Sequence, residues 1–476
     1  MAVLLIAGYF VAGAVIHKKV DAAIAALPPS VRVSYASLES SLLNSTMDLR
    51  GVHIEYTKDK QVFEATVDRL GLEGIHFLEL ARTKRLRVGH VRVEGIVASE
   101  EKMHLALEGR IELDSVYSKE AGGEVKGEPA SGDAKGEQPF DAGGVGFGAL
   151  HVWISRLRGR IPGGDETIHV ANLELDSRKR SFKLDSLRIE PVADPIKMGR
   201  EKGHQIDVWE VRSEGFEAEG LDVEGLLEQR LIADRITVRK NHIFVFRDRR
   251  LPLEPGEKAL PVSMLKASPL DVRIGTVKLG PTLFEYKEFP KEGDEPGTLT
   301  IHRMTAELEP LITHPEKGDP AYLILRTEGS LMNSGVVTAT TKLPLHKGDA
   351  YEVDGAFHEL DVTKLNNPAE NLGHLHLESG MLNLLNFHFE MNEEASRGQV
   401  DGRYHELVVE KLKKNGKVDK FKSFALKQLI IPKNKEKAKG KVNYKRDRER
   451  YFSYYLLHSL LVGVKSSFSL GFLLPG

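Results

Sequence analysis

Apolar and polar residues alternate with period two along most of the chain. Leu86 to Val97 reads LRVGHVRVEGIV, and Leu105 to Leu113 repeats the pattern as LALEGRIEL. Alternation of this kind gives a strand one dry and one wet face. Short strands are expected in series: Val31–Tyr56, Val62–Leu80 with a helical turn at HFLELA, Ala149–Leu157, Ile168–Leu175, Ser181–Ile189 and Ile206–Val223. The series continues through Leu299–Met304, Tyr322–Arg326, Val336–Leu345, Tyr351–Leu360, Leu375–Leu377, Leu384–Met391 and Leu407–Val409. No long amphipathic helix interrupts them between Pro28 and Lys411. An all-β fold follows, and parallel βαβ architectures are excluded.

Leu231 to Asp248, LIADRITVRKNHIFVFRD, is expected to be a hairpin. Lys240-Asn241-His242 would form its turn, since Asn tolerates the left-handed backbone region. Ile243 to Phe246 is apolar on both parities, which implies cover on both sides. Leu270, Val272 and Ile274 share one face of the next strand. Gly275 then shifts the phase to Val277 and Leu279, as at a bulge.

Two arrangements fit the alternation. One is a long twisted antiparallel sheet, curled so that its apolar face lines a groove. The other is a string of closed β-sandwiches. In the groove arrangement, Ile236, Val238, Leu270, Val272 and Ile274 are the candidate lipid-facing residues.

The ends of the chain read differently. Met1 to Ile16 carries no charge and is followed by His17-Lys18-Lys19. Sixteen residues span roughly 24 Å as a helix, slightly under the hydrocarbon thickness of a bilayer. An N-terminal transmembrane anchor is expected over residues 1–27. A first β segment covers 28–117 and a Gly-, Lys- and Glu-rich loop covers 118–148. The main β segment covers 149–430, and a basic stretch with an apolar C-terminal helix covers 431–476. Lys433 to Arg450 holds nine Lys/Arg against three Asp/Glu. Tyr451, Phe452, Tyr454 and Tyr455 stand where the basic and apolar parts meet, which suits a membrane interface as well as a docked helix.

Composition narrows the function classes. The net charge of -2 gives no global nucleic-acid footprint. The absence of cysteine excludes disulfides, thiolate metal sites and a Cys nucleophile. Walker A, H-E-x-x-H and G-x-S-x-G sequences are missing. Gly144, Gly146 and Gly148 imitate a dinucleotide fingerprint but follow a linker, not a strand. His374 and His376 have the spacing of two metal ligands on one strand face, with His388 nearby, although solvated polar residues give the same pattern. No enzyme activity and no cofactor are expected.

The chain resembles the AsmA-like envelope proteins, relatives of bridge-like lipid transfer proteins. The resemblance rests on an N-terminal membrane segment and on units such as ADRITVRKNHIFVFRD and DVRIGTVKLGPTLFEYKE. The ending YYLLHSLLVGVKSS is also similar. It covers most of the chain from Met1, without 118–148. It implies an inner-membrane anchor, a periplasmic β-groove, and a part in phospholipid transport between membranes and in outer-membrane biogenesis of a Gram-negative cell. Membrane phospholipids and an envelope protein are the implied partners. A scaffold of closed β-sandwiches that assists envelope assembly is the alternative. The family brings no catalytic residues.

Overall fold

The computed structural model describes residues 16–22, 24–25, 27–58, 61–83, 85–100, 105–118, 140–142, 145–161, 164–346, 348–412 and 433–467. Strand makes up 62% of the structure and helix 15%, so the class is β with short helical connections. Two compact units divide the chain: Met1–Arg188 with Phe216–Glu228, and Ile189–Gly215 with Gln229–Gly476. The expected membrane anchor falls largely outside the described residues. Residues 16–22 and 24–25 are helical, and Val20 packs on Leu38, Leu49, Val52 and Val67. Among the described residues, no helix is long and apolar enough to cross a membrane.

Unit 1 is an antiparallel sheet. Strands β1 (Val31–Ser34) and β2 (Ser37–Ser41) both pair with β3 (Thr46–Lys58). The ladder continues through β4 (Gln61–Glu73), β5 (Arg87–Glu100) and β6 (Leu105–Ser118). Helix α1 (Phe77–Thr83) joins β4 to β5, where the helical turn is expected. The small hairpin of β7 (Phe140–Ala142) and β8 (Val145–Phe147) attaches to β6. Strand β6 also pairs with β9 (Ala149–Arg160), and β9 pairs with β10 (Glu166–Asp176). Most of the 118–148 stretch lies outside the described residues. The strands on either side of it are direct ladder neighbours within one unit, so it connects strands and does not separate domains. Strand β11 (Ser181–Pro191) leads out of the unit.

Unit 2 begins with α2 (Pro195–Lys202). Asp194 caps it by accepting hydrogen bonds from the backbone N–H groups of Ile196 and Lys197, each 3.0 Å. Proline at its first position and a left-handed Gly203 after it are the expected start and stop signals. Strand β12 (Asp207–Glu219) follows, then α3 (Val223–Leu227), which belongs to unit 1.

The expected hairpin at 231–248 is corrected. Arg230–Asp248 is one continuous strand, β13, of 19 residues. It pairs in parallel with β14 (Asp271–Phe289) over its whole length. Lys240-Asn241-His242 does not turn, because the Asn241 side chain has partners inside the sheet. It accepts a hydrogen bond from Ser213 Oγ at 2.8 Å and donates one to Thr282 Oγ1 at 3.2 Å. Parallel pairing needs a crossover, supplied by residues 249–270 with α4 (Pro261–Lys266). The sheet is therefore mixed, and the purely antiparallel expectation fails at this pair. The two-sided cover expected at Ile243–Phe246 is present: Val245 and Phe246 are both buried, Phe246 beside Met198 of α2.

Gly275 is not a bulge. The β13–β14 register passes through it unshifted, and a Cβ there would stand 2.6 Å from the Asp234 carbonyl oxygen. The register shifts lie further on, around Gly280-Pro281, between β14 and β15 (Gly297–Glu309). Strand β16 (Leu311–Ile312) pairs with the start of β14. From β15 the ladder is antiparallel through β17 (Tyr322–Leu331), β18 (Gly335–Pro344), β19 (Tyr351–Asp361), β20 (Leu375–Met391), β21 (Ala395–Lys411) and β22 (Lys435–Lys445). Helix α5 (Asn366–Gly373) precedes β20. The sheet is not closed into a barrel.

Helix α6 (Phe452–Ser467) packs on the apolar face of β21 and β22. Its buried residues are Tyr455, Ser459, Gly463 and Ser467, four apart, which puts them on one helix face. A Cβ at Gly440 of β22 would stand 2.1 Å from the Gly463 carbonyl oxygen, so the backbones meet only because both positions lack side chains. Ser396 and Ser459 hydroxyls share a hydrogen bond of 2.7 Å in this contact, both fully buried. The core beneath α6 includes Val353, Leu385, Phe389, Val400 and Val442.

Candidate functional site

In unit 1 the strand registers align side chains into rows that share a face. One row runs Ile54, Ala65, Ala98, Leu107, Leu157, Val170 across six strands. A second runs Leu49, Leu70, Val93, Ile111, Val152, Leu175, and a third Met47, Leu72, Val91, Leu113, Leu150. Ile96, Gly109, Ile154 and Leu173 fall between the first two. Among the described residues, no charged residue stands within these rows. Much of it is only half-buried: Ile54, Leu107, Leu157, Ile111, Ile154, Val152, Leu173 and Leu175 all keep solvent contact. The fully buried positions include Val52 and Val67 near the helical residues 16–25, Val88 and Val91 near α1, and Val170 of β10.

The opposite face is charged. Asp48, Gly71, Arg92, Glu112, His151 and Asp176 form one row of it. Arg69 bonds Asp48 at 2.5 Å and approaches Glu94 at 3.7 Å, while Arg92 pairs with Glu112 at 3.2 Å. Exposed pairs of this kind add little stability. Their consequence is that a water-facing and an apolar surface lie back to back over the same six strands.

The residues singled out from the sequence lie elsewhere, in unit 2. Ile236, Val238, Val272 and Ile274 are all buried, and Leu270 is half-buried just before β14. Leu231 and Ala233 stand beside Val272 and Ile274, whereas Val277 and Leu279 stand beside Ile236 and Val238. Asp234 and Arg235 between the two sets are both exposed, so the five do not form one continuous surface. They are core.

The aromatic residues of the C-terminal boundary are engaged by the protein itself. Tyr455, on the buried face of α6, is 1% exposed, and burial pushes its hydroxyl pKa up to about 12. Phe452 packs on Tyr351 with ring centroids 5.4 Å apart. Tyr451 receives the Arg247 and Lys258 cations over its ring and donates to Glu254 at 3.3 Å. Tyr454 stacks on His458 at 3.6 Å.

The histidines do not assemble a metal centre. His374 is the left-handed cap of α5, not a strand residue. His376 pairs with Glu370 at 2.6 Å and His388 with Asp354 at 2.6 Å, each with its own carboxylate. Gly146 and Gly148 border a hairpin, packed against Tyr117 and Ser115, and Gly144 lies outside the described residues. The polar face of unit 1 holds a cluster absent from the sequence reading: His151, Glu174 and Asp176, whose ligand atoms lie within 4.8 Å of one another. His151 already bonds Glu174 at 2.9 Å, and Lys179 bonds Asp176 at 3.0 Å. Desolvation raises the Asp176 pKa, but the Lys179 hydrogen bonds and charge outweigh it and leave the carboxyl below its ordinary value. The cluster is a satisfied charge network. A shallow depression in unit 2, lined in part by Lys278, Glu307, Arg326 and Asp354, is of the same kind, with Lys278 and Glu307 paired at 2.7 Å.

The half-open apolar face of unit 1 could be suspected from LRVGHVRVEGIV and LALEGRIEL, but its continuity depends on registers that no local sequence signal specifies. No family model, curated protein or solved structure matches this chain.

Proposed function

We propose that the chain is a membrane-anchored envelope protein that holds phospholipid acyl chains on the apolar face of unit 1, in transport between membranes and outer-membrane biogenesis. The reading rests on one observation: aligned aliphatic rows cross six strands without a charge and remain half-exposed. A contiguous apolar surface left open to water marks an interaction site. Each methylene moved onto it from water gains about 0.8 kcal/mol, so an acyl chain needs a continuous dry surface more than a shaped pocket. The charged reverse face keeps the sheet wettable. The uncharged Met1–Ile16 stretch supports a membrane attachment and hence access to lipid. The resemblance to AsmA-like proteins supports the same compartment and cargo.

A second reading has its own observation. In unit 2 the apolar face is sealed by α6 down to fully buried Val400 and Ser459. Closed packing of that kind suits a scaffold for envelope assembly.

Photo-crosslinking separates the two. Benzoylphenylalanine placed at Leu107 or Leu157 should capture phospholipid in cell membranes, and the same probe at Arg156, on the charged face, should not. Equal capture at all three sites, or none at any, sinks the lipid reading.

A further inference from the structure

We propose that the outer edge of the unit 2 sheet is a docking surface for an anionic membrane surface, with β22 as its cationic stripe. Lys437, Lys439, Lys441 and Lys445 are exposed and alternate with Ala438, Gly440 and Val442, which are buried under α6. Period two therefore sends all four ammonium groups to the face away from the helix. The neighbouring strand adds Arg397 and Arg403, both exposed on that face. Asp401 stands opposite Lys439, Glu390 of β20 stands opposite Arg397, and Glu436 is exposed beside Lys437, so the six cations outnumber the carboxylates near them two to one. Among the described residues none of the six cations is paired with a carboxylate, whereas most of the other charges in unit 2 are paired: Lys278 with Glu307, Lys342 with Glu352, Arg326 with Glu309. An excess of cations, none of them in a direct ion pair, in a sheet otherwise laced with such pairs is the observation that calls for a partner.

The stripe spans roughly 26 Å from Lys437 to Lys445, and adjacent strands lie about 4.8 Å apart. The cations thus form a flat lattice on one side of two strands, backed by a rigid core. A planar array of separate anions, such as phospholipid head groups, matches that geometry. Lysines on an edge strand also discourage strand-to-strand aggregation. That role needs one or two charges at the edge and gives no reason for arginines on the inner strand. The inference goes beyond the acyl-chain reading, since it concerns head groups and stands whether or not unit 1 carries lipid.

The test uses the full chain and two vesicle preparations, phosphatidylglycerol mixed with phosphatidylethanolamine, and phosphatidylcholine alone. Sedimentation should show a preference for the anionic vesicles that fades as salt rises. Each lysine near an anionic surface is worth about fivefold in affinity, so the variant K437Q/K439Q/K441Q should lose roughly a hundredfold of that preference. The charge-preserving K437R/K439R/K441R should keep it, which covers the case in which the glutamine variant self-associates. In parallel, acetylation of Lys437, Lys439 and Lys441 in the unaltered protein should slow when anionic vesicles are added. An unchanged preference in the glutamine variant, or equal acetylation with and without vesicles, overturns the proposal. So does loss of binding to DNA alone, which would assign the surface to a different polyanion.

Discussion

Asn241 shows how one residue redirects a long stretch of chain. It is 5% exposed in the middle of β13, accepting from Ser213 and donating to Thr282. The geometry joins β12, β13 and β14 side by side. Replacing Asn241 by Leu leaves the buried Ser213 hydroxyl without its acceptor, while Thr282 keeps its bond to the Gly280 carbonyl at 2.9 Å. A loss of about 1–3 kcal/mol is expected in denaturant unfolding. Adding Ser213→Ala to the variant should restore part of it. The same residue explains why the sequence suggested a hairpin. A polar triplet between two apolar runs has one local reading, a turn, and the partners that make it a strand lie 28 and 41 positions away.

At the scale of elements, α6 illustrates how a helix seats by small residues. Tyr455, Ser459, Gly463 and Ser467 face the sheet, and the closest approach is at Gly440. His458, on the adjoining helix face, donates from Nδ1 to the Tyr454 carbonyl at 3.0 Å and stacks on the Tyr454 ring. Burial lowers its pKa below the ordinary 6.5, and Arg249, Arg450 and Lys465 push the same way against the Tyr454 bond. Below pH 6.5 the unfolded chain therefore binds a proton that the folded one resists. Stability from this group is complete above that value and declines as the pH falls through it. The unfolding midpoint should drop on acidification from neutrality, and less so in His458→Gln. An identical pH dependence in the variant would remove His458 from this account. The helix itself was legible from its apolar run. Its seating was not, because small residues carry no hydrophobic signal and Gly440 stands in a lysine-rich strand.

For the whole chain, alternation revealed the class and most strands, since period two is local and dense. It did not reveal which apolar face stays open. Ile236, Val238, Val272 and Ile274 alternate as cleanly as Leu105, Leu107 and Ile111, yet the first set is core and the second is half-exposed. Burial depends on what packs above a strand, and that is decided by distant segments such as α6 and the helical residues 16–25. Unit 1 accordingly carries the lipid-holding proposal, although the sequence had pointed to residues of unit 2. The measurement that bears on it most directly is native mass spectrometry of the full chain, extracted gently from membranes. The account predicts mass additions equal to phospholipids, which disappear when Leu107 and Leu157 are both replaced by Asp and the protein remains folded. A lipid-free spectrum from the unaltered chain, or additions that persist in that variant, would contradict it.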